Sequence, residues 1–188
     1  TALHEVLSKT KKTDCIFDDA LAGLTELLSQ SQSDSIILNV IADLVSGSDT
    51  KAAENFETLF ALVATILHDD ENPLIPDAVF LLSRLSRKCQ EQFQPFVDEI
   101  SAFLIQGFDS EEESIAINFI NAYSYIAQDF PEHCEEVAND VVTKLAQLSP
   151  FESAEEEITI GVSDIAVRTG AMLASTFPNT FPPNAHTF

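Results

Sequence analysis

At 188 residues the chain is long enough for one globular domain or for roughly four or five stacked helix pairs. Its 45% hydrophobic residues can bury a continuous core, and few glycines with many Phe, Leu, Ala and Ile suit helices better than strands. The chain has 31 acidic residues against 9 Lys and Arg, a formal net charge of −22, so phosphate backbones and anionic membrane surfaces are poor partners. The charge either steers basic partner segments towards the protein or keeps a large apolar chain soluble.

The cysteines and the apolar segments indicate an intracellular protein without a membrane span. Cys15, Cys89 and Cys134 are widely spaced and form no Cys-x-x-Cys motif, so we expect reduced thiols. The longest apolar run, Leu59 to Leu67, is far too short to cross a bilayer, and no signal peptide opens the chain. Because the chain starts without Met and ends in Pro-rich sequence, we expect a fragment of a longer protein.

The first predicted helix pair spans residues 16–46. Its first helix runs from about Ile16 to Gln30, and Ser31 to Ser35 form a turn that supplies N-cap candidates. Gly47 closes the second helix. Before this pair, Thr1 to Ser8 are typical of the end of a helix that belongs to an earlier repeat.

The second pair spans residues 54–89. Its first helix covers Phe56 to His68, and the turn from Asp69 to Pro76 contains two prolines, which exclude helix continuation there. The partner helix extends to about Cys89.

The third pair (93–128) and the fourth pair (130–175) follow the same plan. The third places an acidic turn between a helix near Phe93 and a helix from Ser114 to Gln128. In the fourth, the turn lies near Pro150, the second helix reaches its end at Asp164-Ile165-Ala166, and a loop follows Ser175.

Apolar residues recur at one register when the four pairs are overlaid, at steps of 39 to 41 residues. The first helices align Ile16, Phe56, Phe96 and Val137; Ala20, Phe60, Ile100 and Val141; and Leu24, Ala64, Leu104 and Leu145. The second helices align Ile37, Ala78, Phe119 and Ile158; Ile41, Leu82, Tyr123 and Val162; and Leu44, Leu85, Ile126 and Ile165.

This period predicts an all-α fold, a HEAT-type α-solenoid in which antiparallel helix pairs form a superhelix over residues 1–188. Armadillo repeats have the same size but carry a third short helix, for which the links between pairs leave little room. We therefore favour HEAT repeats.

Several segments resemble HEAT repeats of the importin-β (karyopherin-β) family. They are Phe93-Gln94-Pro95-Phe96 leading into Ile-Ser-x-Phe-Leu, the Ile-Ala at 126–127, and Asp164-Ile165-Ala166. The resemblance covers about residues 16–175 and is closest over 56–175, although the long acidic insertion of some members is missing. It implies part of a nuclear transport receptor of the cytoplasm, nucleus and nuclear pore, which binds basic cargo or adaptor segments, the GTP form of the small GTPase Ran, and Phe-Gly nucleoporins.

The sequence contains no recognisable catalytic or metal-binding pattern, so we expect neither an enzyme nor a cofactor. His133 and Cys134 are adjacent, and adjacent side chains on a helix point about 100° apart, which disfavours joint metal ligation. The acidic triplets Glu111 to Glu113 and Glu155 to Glu157 each precede a helix, where they favour the positive end of its dipole.

The candidate partner-binding residues lie on the second helices, facing away from the core columns. Phe, Tyr and Ile among acidic side chains suit a partner surface, because aromatic anchors are frequent at binding hot spots. Alternatively, Phe80 and Ile160 pack against adjacent repeats. The two columns are Asp43, Arg84, Tyr125 and Asp164, and beside them Asn39, Phe80, Asn121 and Ile160.

Two other kinds of HEAT protein compete with the transport receptor. A phosphatase scaffold subunit or a chromosome-organising subunit would use similar repeats as a rigid platform. Microtubule-binding arrays need basic loops within each repeat, whereas the corresponding turns here are acidic or polar.

Overall fold

The computed structural model describes residues 13–31, 34–69, 71–148, 161–178 and 180. All regular secondary structure in these ranges is helical, which confirms the predicted all-α class. The chain divides into two compact units, Thr1–Gln94 and Pro95–Phe188.

Unit 1 contains two long helix pairs, each followed by a short helix. The helices are α1 (Phe17–Gln30), α2 (Ser35–Gly47), α3 (Lys51–Glu54), α4 (Phe56–Leu67), α5 (Ile75–Lys88) and α6 (Gln90–Phe93). The second helices α2 and α5 pack directly against each other, while α1 packs on α2 and α4 packs on α5.

Unit 2 contains the remaining helices. A 3-10 turn at Gln94–Phe96 leads into α7 (Val97–Gln106), a 3-10 turn (Gly107–Asp109), α8 (Glu113–Asp129), α9 (Pro131–Cys134), α10 (Ala138–Gln147) and α11 (Val162–Thr176). Here α8 packs against α7 and α11, and α10 packs against α11.

Local sequence explains where α2 and α5 begin. Asp34 is the N-cap of α2 and accepts a hydrogen bond from the Ile36 N–H at 3.1 Å, as the turn at Ser31 to Ser35 predicted. The expectation that both prolines lie in the turn before α5 is wrong, because α5 begins at Ile75 and includes Pro76 in its first turn. Proline is tolerated there since a helix leaves its first N–H groups unpaired.

The links between the pairs contain a third helix, contrary to the expectation from their length. The short helices α3, α6 and α9 begin at Lys51, Gln90 and Pro131, at steps of 39 and 41 residues. The argument against three-helix repeats is therefore wrong. Four residues form one helical turn, which a link of this size can hold.

The first helices bury Phe56 as predicted, but at the other three positions the buried column differs by one residue from the predicted one. Ile16 and Val137 are 43% and 37% exposed, and Phe96 is half-buried, because all three are N-cap residues that precede their helices. A shift of one residue rotates a helix face by about 100°. The buried column consists of the first residue of each helix, Phe17, Phe56, Val97 and Ala138.

The predicted core columns of the second helices are confirmed for α2, α5 and α8. Their members are buried, and the helices end at Gly47, Lys88 and Asp129, at equal steps of 41 residues. The fourth pair differs. Ile158 lies outside the described residues, and Asp164-Ile165-Ala166 lies in the first turn of α11 instead of at the end of a helix.

Candidate partner-binding surfaces

Four residues of the predicted columns lie on α2 and α5, the two helices of unit 1 that pack directly against each other. Asn39 and Asp43 lie on α2, Phe80 and Arg84 lie on α5, and all four are half-buried. We call these four residues the second-helix face. The Arg84 guanidinium carbon lies 4.6 Å from the centroid of the Phe80 ring, a cation–π contact that orients both side chains.

Asp77 on α5, which sequence reasoning missed, links the two helices that carry the second-helix face. The Asn39 side-chain amide donates to Asp77 Oδ1 at 2.8 Å and to the Ser35 carbonyl at 3.0 Å. Burial raises the pKa of Asp77, and the hydrogen bond from Asn39 acts in the opposite direction. The sequence did offer a signal for this contact: Asn39 and Asp77 are 38 residues apart, close to the repeat length, so they occupy nearly equivalent positions on successive second helices.

Unit 2 separates its members of the predicted columns. Asn121 and Tyr125 are half-buried on α8, whereas Asp164 is exposed in the first turn of α11. The Asp164 carboxylate accepts a hydrogen bond from the Gly161 N–H at 3.4 Å, so it caps its own helix instead of continuing the column in mid-helix. Ile160 lies outside the described residues.

The first helices of unit 1 enclose a groove that the sequence did not predict. The α1–α4 groove has a volume of about 500 Å³. Apolar residues Leu28, Leu62, Ile66 and Leu74 line it, together with hydroxyl groups from both helices and the Asp69 carboxylate. A volume of this size accommodates a side chain or a small ligand.

Three of the lysines form intramolecular contacts that hold their ammonium groups against the protein. Lys51 pairs with Glu54 at 2.8 Å and Asp18 at 3.0 Å, and these hydrogen bonds raise its pKa. Lys88 donates to the Ser48 carbonyl at 3.0 Å. Lys144 donates to the Ile105 carbonyl at 2.8 Å and lies 2.7 Å from an Asp109 oxygen.

His133 and Cys134 face different surroundings in unit 2. His133 Nδ1 lies 2.9 Å from Asp98 Oδ1. Cys134 is fully buried with its sulfur 4.0 Å from the Ser101 hydroxyl, and burial raises the pKa of its thiol. A buried, protonated thiol is a poor nucleophile. Within the described ranges, no three His, Cys, Asp or Glu side chains are grouped as metal ligands would be.

No helix in the part of the chain that the structure describes has the length and apolarity needed to cross a bilayer. The chain matches no protein-family model, no curated protein and no solved structure.

Proposed function

We propose that the protein is an α-solenoid of the HEAT and armadillo class that acts by binding other proteins. The observation that supports this most directly is the repetition in α2, α5 and α8, which bury the same positions and end 41 residues apart. The short helices α3, α6 and α9 recur at nearly the same step, which favours repeats of three helices within this class.

The surface chemistry favours basic partners. The acidic excess is 31 against 9, and Lys51, Lys88 and Lys144 all form intramolecular contacts. Long-range attraction would raise the association rate with Lys- and Arg-rich segments. The second-helix face supplies the Phe80 ring as an aromatic contact, and the negative charge of Asp43 adds to this attraction.

Within this class, a nuclear transport receptor of the importin-β type is the function that fits an acidic surface with a preference for basic segments. It would carry basic cargo or adaptor segments between cytoplasm and nucleus, bind Ran with GTP, and contact Phe-Gly nucleoporins. Flexing between repeats would let one ligand change the curvature and release another.

The first experiment is a pull-down with Ran loaded either with a non-hydrolysable GTP analogue or with GDP. The proposal expects selective capture of the GTP form. An absence of capture in both states would reject the transport receptor while leaving the repeat fold unaffected.

A second experiment tests capture of basic segments at the second-helix face. Asp43→Asn removes one negative charge there with little change of shape, and it should weaken binding of a Lys- and Arg-rich peptide about two- to fivefold at low salt. Asp19→Asn on the exposed side of α1 is the matched control. Equal affinities for both variants and the parent protein would remove this face as the binding site.

A rigid scaffold subunit is the alternative function, and specific contacts favour it. The Asn39 amide donates a hydrogen bond to Asp77, and the Lys88 ammonium donates one to the Ser48 carbonyl. Polar as well as apolar contacts therefore connect α5 to the preceding helix pair. Such contacts oppose bending between the two pairs. Failure to bind Ran in either state, combined with stable binding of a folded partner, would favour the scaffold.

A further inference from the structure

Equivalent positions in the two units contain different side chains. The first helices α1, α4, α7 and α10 begin at Phe17, Phe56, Val97 and Ala138. Counted from these starts, Leu62 of α4 corresponds to Lys144 of α10. Thr25, Leu28 and Ser29, near the end of α1, correspond in the same way to Ile105 of α7 and to Phe108 and Asp109 of the 3-10 turn that follows it.

In unit 2 a lysine fills the space between two first helices. The Lys144 ammonium donates to the Ile105 carbonyl at 2.8 Å, lies 2.7 Å from Asp109 Oδ2, and is 5.9 Å from the centroid of the Phe108 ring. The ammonium therefore sits at the carbonyl end of α7, where the helix dipole is negative, with a carboxylate beside it.

In unit 1 the equivalent space is the α1–α4 groove. Leu62 replaces the lysine, and the groove retains about 500 Å³ of open volume. Its walls come from the last turns of α1 and α4, and neither helix has a basic residue in its last turn. A carboxylate is again present, but Asp69 supplies it from the turn that follows α4.

The charge around the groove is uniformly negative. The described parts of the elements that form it (Phe17–Gln30, Phe56–Leu67 and residues 68, 69 and 71–74) contain no Lys or Arg, and Asp69 lines the groove itself. Two helix carbonyl ends and the Asp69 carboxylate together favour a cation. The apolar wall of Leu28, Leu62 and Ile66 favours an alkyl chain.

We propose that the α1–α4 groove binds a lysine side chain presented by a partner protein. The alkyl stem lies along the apolar wall, and the ammonium reaches the helix carbonyl end and Asp69, as Lys144 reaches its own partners in unit 2. Each helix contributes residues from about one turn, so the groove accepts one long side chain rather than a partner helix. The proposal is independent of the second-helix face and of Ran binding.

The test uses the full chain and two short amidated peptides, acetyl-Gly-Ser-Lys-Ser-Gly and its norleucine counterpart, which has a similar stem without the ammonium. Nitrogen–proton correlation NMR follows the amides of Ser29, Thr65 and Asn72, which line the groove. We expect saturable shifts with the lysine peptide and none with the norleucine peptide.

Two variants locate the site. Asp69→Asn should weaken binding of the lysine peptide about two- to fivefold, whereas the control Asp19→Asn should leave it unchanged. Leu62→Lys places an internal ammonium where unit 2 has Lys144 and should abolish the shifts, with circular dichroism confirming that the helices are retained.

Equal shifts with both peptides would overturn the proposal, because the groove would then recognise only an apolar chain. An absence of shifts at the three groove amides of the parent protein would overturn it as well. Neither result bears on Ran binding, so failure here and failure of the proposed function are distinguishable.

Discussion

Units 1 and 2 are built on the same apolar repeat but differ in their charged side chains. Unit 1 has 15 acidic and 7 basic residues, and unit 2 has 16 and 2. The buried columns recur in both units, whereas Leu62 in unit 1 corresponds to Lys144 in unit 2. The repeat therefore specifies how helices pack, while the residues between the columns decide which spaces are filled and which stay open to a ligand.

The largest expected effect concerns a close packing contact in unit 2. A Cβ added at Gly107 would overlap the Phe119 ring, so Gly107→Ala should lower the free energy of unfolding by about 1–3 kcal/mol. In unit 1, Gly23 lies within α1, and a Cβ added there would meet no neighbouring atom within 4 Å. Gly23→Ala should therefore raise the free energy of unfolding by about 0.5–1 kcal/mol. Urea unfolding followed by circular dichroism measures both, and a stabilised Gly107→Ala would contradict the packing described for unit 2.

Removal of the Lys144 ammonium should have the next largest effect. Lys144→Met keeps most of the stem but loses the bonds to the Ile105 carbonyl and Asp109, and we expect a loss of about 1–2 kcal/mol in unfolding free energy. Lys51→Met in unit 1 removes more exposed ion pairs, with Asp18 and Glu54, and should cost less than Lys144→Met. Equal losses in the same urea experiment would mean that the Lys144 ammonium contributes no more to the unfolding free energy than the exposed ammonium of Lys51.

A pH-dependent effect is expected at the link between the two pairs of unit 1. Asp14 accepts hydrogen bonds from the Ser48 hydroxyl at 2.6 Å and from backbone N–H groups that begin α3, and these bonds hold its pKa below the usual value. A carboxyl group with a lowered folded-state pKa stabilises the fold above its unfolded pKa, and this contribution disappears as the pH falls through the folded pKa.

Asp14→Asn should therefore melt at a lower temperature than the parent protein at pH 7. The difference should shrink as the pH falls below about 4 and vanish below the folded pKa of Asp14. Thermal unfolding across this range, with Asp19→Asn as control, provides the measurement. A difference that stays constant with pH would show that the Asp14 charge does not support α3.

The smallest expected effect concerns the cation–π contact on α5. Arg84→Gln removes the guanidinium above Phe80 while keeping a polar side chain, and it should change the unfolding free energy by less than about 1 kcal/mol. A larger loss would place Arg84 among the residues that hold the α2–α5 layer together.

Much of the fold follows from local sequence patterns. Helix limits depend on caps such as Asp34 and on apolar periodicity, which act within a few residues of each position. The second-helix columns were predictable for the same reason, because Ile41, Leu82 and Tyr123 lie in mid-helix, where the 3.6-residue period sets the buried face.

The first-helix column was misplaced by one residue because Ile16 and Val137 are apolar yet stand just outside their helices. Hydropathy does not distinguish a helix's first residue from its N-cap, although the two point in different directions. The short helices α3, α6 and α9 were missed because four residues are too few to show a period.

The sequence by itself determined the helical class, the repeat length and the acidic charge, since these depend on composition and on patterns within one helix. Only the tertiary structure decided that Lys144 reaches the Ile105 carbonyl and that the equivalent space beside Leu62 remains a groove. These features depend on side chains about 40 residues apart in the sequence, whose approach is set by how neighbouring helices pack and not by the period of either helix.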